Sequence, residues 1–248
     1  MQLVSWIQRR LGQRSATQAW GLAPGLGGWC LVGLSLDASR LLGVHRVQYL
    51  PGGLDDPGPA GVSHGLRQSG IAHGAFRRRP CVHVGMPMDP LVSGVLVLPV
   101  GLGPSEREAE VQLAAARMLN LEPEHISFDW QASLLSGGVL EQLHWVACPK
   151  AAIDAFNQCV RRSGWRLASV EPVTQAARRA SVCLCGGLSS LVTRPVQDWQ
   201  FDPALLEDSS ASEEAAVPLA IEAALQEAMQ TSAGPRLVAT GLALKAWT

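Results

Sequence analysis

No stretch of this chain approaches the roughly 18 to 20 apolar residues a helix needs to cross a bilayer, so no helical span is expected. No secretory leader is expected either, because Arg9 and Arg10 precede no apolar core of the required length. Charge of one sign is missing: 20 Lys and Arg stand against 21 Asp and Glu, a net charge of -1, which gives no global attraction to nucleic acid. The chain has no G-x-x-x-x-G-K-S/T loop, no G-x-G-x-x-G after a strand, no G-x-S-x-G and no H-E-x-x-H among its dispersed histidines. The six cysteines are scattered (Cys30, Cys81, Cys148, Cys159, Cys183, Cys185). Only Cys183 and Cys185 lie close together, and no second Cys/His pair stands at zinc spacing, so no metal is expected. Thiols set in apolar stretches behave as small buried hydrophobes, and the pattern suits a reducing, cytosolic compartment. With so little catalytic vocabulary, a scaffold or partner-binding module is expected rather than a self-contained enzyme.

What is present is well-patterned secondary structure. At 248 residues and 47% hydrophobic, the chain has material for one large domain or two small ones. Met1 to Arg14 is amphipathic, with Leu3, Val4, Ile7 and Leu11 on one side and Arg9, Arg10 and Arg14 extending the other. A frayed extension or a helix docked on its own domain is the plainer reading, and contact with an anionic membrane surface is the alternative. Ser15 to Gly28, small and Gly-rich, reads as a linker, and its Gly25 to Gly28 lacks phosphate-loop spacing. Cys30 to Leu36 and Leu41 to Tyr49 read as strands joined by a turn at Asp37-Ala38-Ser39, and Pro51 to Gly61 as a loop. Val62 to Ala75 is weakly helical, and Arg77, Arg78 and Arg79 form a small basic run.

Arg77 to Ala180 carries the clearest signals. Strands are expected at Cys81 to Gly85 and Leu91 to Pro99. A helix from Ser105 to Asn120 opens with Ser-x-x-Glu, a capping box in which Ser105 is the N-cap. Glu106, Glu108 and Glu110 complement its positive end, so they serve the helix rather than acid–base chemistry. A hairpin closes at Ser136-Gly137-Gly138 between Ile126–Leu135 and Val139–Pro149, with Glu141, Leu143, Trp145 and Ala147 on one face. A second helix, Lys150 to Gly164, ends on Arg161, Arg162 and a C′ glycine, and Trp165 to Glu171 is a strand. Beyond Ala180 the signals weaken. Ser181 to Leu191 reads as a short strand or buried turn, Asp202 to Glu214 as an acidic loop, Val217 to Thr231 as a helix and Arg236 to Leu244 as an apolar strand or strand-turn.

Several stretches, in this order, resemble PilM, the cytoplasmic actin-like component of type IV pilus assembly. They are Val82 to Pro87 (VHVGMP), Val95 to Pro99 (VLVLP), the Glu-rich helix to Leu119, and Phe128-Asp129-Trp130-Gln131. Trp145 to Lys150 (WVACPK), Ser163-Gly164-Trp165, Val170-Glu171-Pro172, the Ala/Arg segment Ala176 to Ala180 and the closing Ala239 to Lys245 (ATGLALK) continue the pattern. The resemblance implies an α+β protein, an actin-like (RNase H-like) core fragment with an inserted small α+β subdomain of the FtsA/PilM type. The expected division is an amphipathic segment and linker over 1–28, the first part of the core over 29–80, the insert over 81–172 and a reduced second part of the core over 173–248.

The resemblance also implies an ATP site, from which this chain departs. The family's first hairpin carries Asp-x-Gly and small hydroxyls. Aligned on Val32-Gly33-Leu34, Ser35 takes the Asp place and Asp37 the Gly place, with Ser39 beyond. Ser35 cannot organise a hydrated Mg²⁺ as a carboxylate does, and Asp37 sets negative charge where phosphate needs bare N–H groups. No second Asp-x-Gly follows Ala180. The expectation is a degenerate, non-catalytic scaffold with no cofactor. A divergent ATPase using ATP and Mg²⁺ is one alternative reading, and an unrelated α+β binding module is another. The implied partner is the N-terminal cytoplasmic tail of a PilN-like bitopic membrane protein, in a type IV pilus or related type II secretion machine, with the chain cytoplasmic and peripheral at the inner membrane. Trp130 and Trp165 are candidate apolar anchors for that tail, and Arg161, Arg162, Arg178 and Arg179 candidate cationic contacts.

Overall fold

The stretch expected to be a linker is the middle of a sheet. In the computed structural model, which describes residues 18–37, 40–51, 59–71, 79–87, 90–135, 137–205 and 219–247, β1 (Gln18–Gly25) turns through Leu26-Gly27 into β2 (Gly28–Leu36). Gly27 supplies the left-handed backbone of that turn, with φ 70. β2 continues antiparallel into β3 (Leu42–Pro51). After α1 (Pro59–Gln68), β4 (Cys81–Met86) pairs parallel with β1. The order of the six-stranded sheet is β8-β4-β1-β2-β3-β9, where β8 (Arg166–Pro172) is parallel to β4 and β9 (Gln200–Phe201) is a short edge strand.

Between β4 and β8 the chain makes a separate unit, residues 87–155. There β5 (Val92–Pro99), α2 (Pro104–Leu119), β6 (Ile126–Leu134) and β7 (Leu140–Pro149) follow in order, and the antiparallel sheet runs β5-β7-β6. The expected alternation on β7 holds: Glu141, Leu143, Trp145 and Ala147 are buried, and with Ile126, Phe128, Val111, Ala115 and Ala116 they form this unit's core. α2 starts one residue before the expected Ser105. Its N-cap is Gly103, because Pro104 suits the first helical position, and Glu106 rather than Glu108 reaches back to accept the Gly103 N–H at 2.7 Å.

In the larger unit the sheet is covered on both faces. α3 (Lys150–Arg162) lays Phe156 edge-on to Trp29, with ring centroids 5.8 Å apart, and on the same face Trp20 meets Trp165 at 5.7 Å. Gly164, φ 81, ends α3 as expected, and the Trp165 N–H bonds back to the Val160 carbonyl. On the other face α4 (Val173–Cys183), α5 (Leu219–Gln230) and α6 (Gly234–Leu244) pack over Ala19, Ala23, Cys30, Val32 and Leu34.

α6 replaces the strand expected at Arg236 to Leu244. Every residue from Leu237 to Leu244 is buried, and an all-round apolar run of that length does not by itself separate a buried helix from a buried strand. Small residues decide it. A Cβ at Gly21 would collide with the Ala239 carbonyl oxygen, and one at Gly241 with the Ala176 carbonyl oxygen. The glycines that resembled a linker therefore let a helix lie directly on a central strand.

Three expected boundaries move. Residues 18–25 belong to the sheet rather than to a linker. β4 and β8, expected inside the insert, are strands of the six-stranded sheet. Residues 173–247 supply helices and the edge strand β9 to that same sheet, and among the described residues they form no second sheet of their own. The amphipathic segment 1–14, Ser39, the Arg77-Arg78 pair and most of the acidic loop lie outside the described residues.

Candidate functional site

Ser35 and Asp37 belong to the second hairpin, not the first. Ser35 pairs with Gln18 on one side and Gly43 on the other, at the end of β2. The exposed Asp37 organises the β2–β3 turn: its Oδ1 accepts the Leu41 N–H at 3.0 Å, its own N–H donates to the Leu41 carbonyl at 2.9 Å, and Arg40 takes a left-handed φ of 64. That role is structural. The first hairpin is β1–β2, and its turn is Pro24-Gly25-Leu26-Gly27-Gly28, with neither carboxylate nor hydroxyl. The Tyr49 hydroxyl donates to the Leu26 carbonyl at 3.2 Å, so this tip is held from β3. The sequence alignment missed it because β1 was not recognised as a strand.

The larger unit holds a buried ion cluster. Glu171, at the end of β8, accepts from Arg179 of α4 through both carboxylate oxygens, at 2.5 and 3.0 Å, and from Lys245 at 2.8 Å. Arg179 also donates to the Gly241 carbonyl at 2.8 Å, tying α4 to α6. Burial alone would raise the Glu171 carboxyl; the Arg179 hydrogen bond and the charges of Arg179 and Lys245 outweigh it and hold the carboxyl below its ordinary value. Beside the cluster, His83 of β4 shares a 2.7 Å hydrogen bond with Ser169 of β8. Burial is the main cause that brings the imidazole down to about 4, so it is neutral at pH 7. With its charges compensated in this way, the cluster works as a clamp between β8, α4 and the end of α6. Sequence reasoning missed it, although Val170-Glu171-Pro172, Ala176 to Ala180 and Ala239 to Lys245 were each singled out. Their convergence is a tertiary fact that only a pairing of strand, helix and helix reveals.

Within the larger unit the five expected partner contacts Arg161, Arg162, Trp165, Arg178 and Arg179 have different surroundings. Trp165 is fully buried against Trp20, so it is a core residue and not an anchor. Arg179 is spent on Glu171. Arg178 is exposed and pairs with Glu222 of α5 at 2.9 Å. Trp130 packs, partly buried, against the core of the 87–155 unit opposite Trp145. Arg161 and Arg162 alone stand exposed at the end of α3 without a carboxylate partner among the described residues.

Among the described residues no group of three His, Cys, Asp or Glu is arranged to hold a metal, and no helix is long and apolar enough to cross a membrane. No family profile matches the chain, and no curated protein matches it. Solved structures do. One is a PilM–PilN type IV pilus biogenesis complex, with a TM-score of 0.53 and 15% identity, over 86% of this chain and 69% of that one. Another is the cytoplasmic domain of EpsL, an inner-membrane component of the type II secretion system of Vibrio cholerae, with a TM-score of 0.47 and 12% identity. The match to EpsL takes in 64% of this chain and 58% of that one. The fold is α+β: an actin-like core with an inserted small α+β subdomain of the FtsA/PilM type.

Proposed function

We propose that this chain is a non-catalytic cytoplasmic scaffold of a type IV pilus or related type II secretion assembly, held at the inner membrane by the N-terminal tail of a PilN-like bitopic protein. The observation that carries the reading is the fold shared with the PilM–PilN complex over 86% of this chain. The convergence of three PilM-like stretches on the Glu171 clamp supports it, because unrelated chance matches have no reason to meet at one cluster. The scaffold role, rather than an ATPase, rests on the first hairpin. Its turn has no group to organise Mg²⁺, and Leu26 presents an apolar side chain, 92% exposed, at the tip.

Two binding measurements test the reading. The full chain should capture a synthetic PilN-like N-terminal peptide with an affinity in the micromolar range, about -8 kcal/mol, by fluorescence anisotropy. No capture at millimolar peptide overturns the partner. Calorimetry with Mg-ATP should show no heat of binding; a micromolar dissociation constant would promote the actin-like ATPase in its place.

A further inference from the structure

Among the described residues the two sheets end on β8, β9, β5 and β6, and three of these edges carry a device against pairing with another strand. β9 is two residues long, β8 opens on the exposed Arg166, and β6 carries Asp129. β5 is different. It runs eight residues, and no charged residue stands between Pro90 and Ser105. A long apolar edge without charge is a template for a further strand.

The register says which groups this edge offers. The Val100 N–H donates to the Val139 carbonyl at 2.9 Å, one step beyond the Pro99–Leu140 pair. Bonded and non-bonded pairs alternate along an antiparallel ladder. Leu98, Leu96, Gly94 and Val92 therefore bond to β7, while Ser93, Val95 and Val97 turn N–H and C=O outward. A second bond agrees: the Leu135 N–H donates to the Leu140 carbonyl, so Leu140 faces β6 and leaves Pro99 opposite it unbonded. Pro99 stands at an outward position, where the ladder has no use for the N–H it lacks. Among the described residues no backbone hydrogen bond reaches the outward groups. The side chains of the same residues stand on the face away from α2, where Val95 is 49% and Val97 53% exposed.

We propose that β5 pairs antiparallel with β5 of a second copy of this chain, about a two-fold axis at Leu96. In that register Val95 and Val97 lie opposite Val97 and Val95 of the second copy, and each such pair exchanges both of its N–H···O bonds. The Ser93 N–H donates to the Pro99 carbonyl of the second copy, so the missing proline N–H falls at the end of the pairing. Directly opposed β-branched side chains add to the match.

The occupant follows from what the edge accepts. A partner strand must be neutral beside Val95 and Val97, because a charged side chain there loses water and meets no counter-charge. It must also present outward groups at every second residue. β5 meets both conditions and is already extended. A disordered segment would have to be ordered first, which opposes binding. The pairing also closes. It uses both β5 edges, and the joined sheet then ends on β6 of each copy, with Asp129, so assembly stops at two. One strand pair is a small interface, so a dissociation constant of roughly tens of micromolar is expected. The proposal rests on the 87–155 unit alone and needs no pilus partner.

The test is sedimentation of the full chain from about 5 to about 500 µM, a range that spans weak association. A shift from monomer to dimer is expected, with slower amide exchange over residues 92–99 at the high concentration. Val97→Pro removes an outward N–H and no bond to β7, so it should abolish the dimer and keep the monomer's melting temperature, measured at low concentration. Val95→Lys, counted twice by the symmetry, should weaken dimerisation by at least about tenfold. Leu134→Lys on β6, at a position 60% exposed, is the control for surface hydrophobicity and should dimerise as the parent does. Four results overturn the proposal: a monomer throughout, a dimer indifferent to both β5 variants, equal loss in Leu134→Lys, or association that continues past the dimer. The peptide capture described above does not depend on this dimer, so failure here leaves that result standing.

Discussion

The 87–155 unit and the unit built on the six-stranded sheet meet the same packing problem in opposite ways. In the smaller unit one helix covers one face of three strands, and the contacts are made by large side chains: Trp145, Phe128, Leu143 and Val111. Its tightest glycine, Gly94, faces the Trp145 ring, 2.5 Å from where a Cβ would stand. Its buried ion pair, Arg107–Glu141 at 2.6 Å, keeps the arginine side chain 22% exposed. In the larger unit helix backbone meets strand and helix backbone at Gly21 and Gly241, and the ion cluster is about as buried, with Arg179 16% and Glu171 3% exposed, but it adds a second cation, Lys245, and a bond from Arg179 to the Gly241 carbonyl. A ring can rotate away from an added methyl group. Two backbones in register cannot, because every hydrogen bond along both elements would shift with them.

The largest effect follows from that contrast. Gly241→Ala and Gly21→Ala should each cost at least about 3 kcal/mol, above the usual overpacking range, because the obstacle is backbone. Gly94→Ala should cost about 1–2 kcal/mol, since the indole can move. Chemical denaturation of the three variants ranks them. A Gly241→Ala variant within 1 kcal/mol of the parent would show that α6 does not lie on α4 as described.

These glycines also mark where the sequence was legible. α2, the β6–β7 hairpin, α3 and β8 announce themselves by local signals: a charged first turn, Gly137-Gly138, an Arg-rich last turn before Gly164. Such signals act over a few residues, so they can be read along the chain. The role of Gly21 and Gly25 is set by what lies across from them. Gly25 stands against the Tyr49 hydroxyl and Pro235, and Gly21 against Ala239. From sequence alone a small-residue stretch of that kind reads as a linker, and the loss of β1 then displaced the first hairpin onto Asp37. The candidate site suffered for the same reason. Exposed Arg161 and Arg162 were legible as a helix end, but the sharing of Arg179 between Glu171 and Gly241 requires knowing that β8, α4 and α6 meet.

Breaking the two ion pairs sharpens the comparison at the next level. Arg179→Met leaves Glu171 buried with Lys245 alone and frees the Gly241 carbonyl; it should cost roughly 3–5 kcal/mol. Arg107→Met should cost less, about 1–2 kcal/mol, because Arg107 makes one contact to one Glu141 oxygen, whereas Arg179 holds both Glu171 oxygens and the Gly241 carbonyl. Equal losses would mean that the extra contacts of Arg179 do not separate the two sites.

Acid should act on the larger unit first. His83 is held neutral down to about 4, against an unfolded value of roughly 6.5. Between those limits the unfolded chain binds the extra proton, so stability falls as pH drops from about 6.5 to about 4. Glu171 has a folded value below its unfolded one, so its contribution is present above roughly pH 4.3 and is lost as pH falls further. Thermal unfolding followed from pH 7 to pH 4 should show the first decline, and His83→Gln should flatten it. A profile unchanged by that substitution would assign the decline elsewhere.

The smallest effect belongs to the neighbour of Arg179 in sequence. Arg178 and Arg179 look alike as an Arg-Arg pair, yet the roughly 100° between successive helical residues sends them to different surroundings. Arg178 lies on the outer side of α4, its side chain 55% exposed, and holds Glu222, itself 35% exposed, at 2.9 Å. The hydrogen bond from Arg178 is the main cause that lowers the Glu222 carboxyl. Water and salt screen such a pair, and both side chains give up rotamer freedom to form it, so Arg178→Ala should cost no more than about 1 kcal/mol, falling further in high salt. Arg179→Ala, one residue on, should cost several times as much. A charge reversal of both residues at once would therefore report the collapse of the Glu171 clamp rather than any binding surface. The single Arg178→Glu variant is the informative one: it stays folded, repels Glu222, and should leave peptide capture unchanged if the tail does not lie across α4.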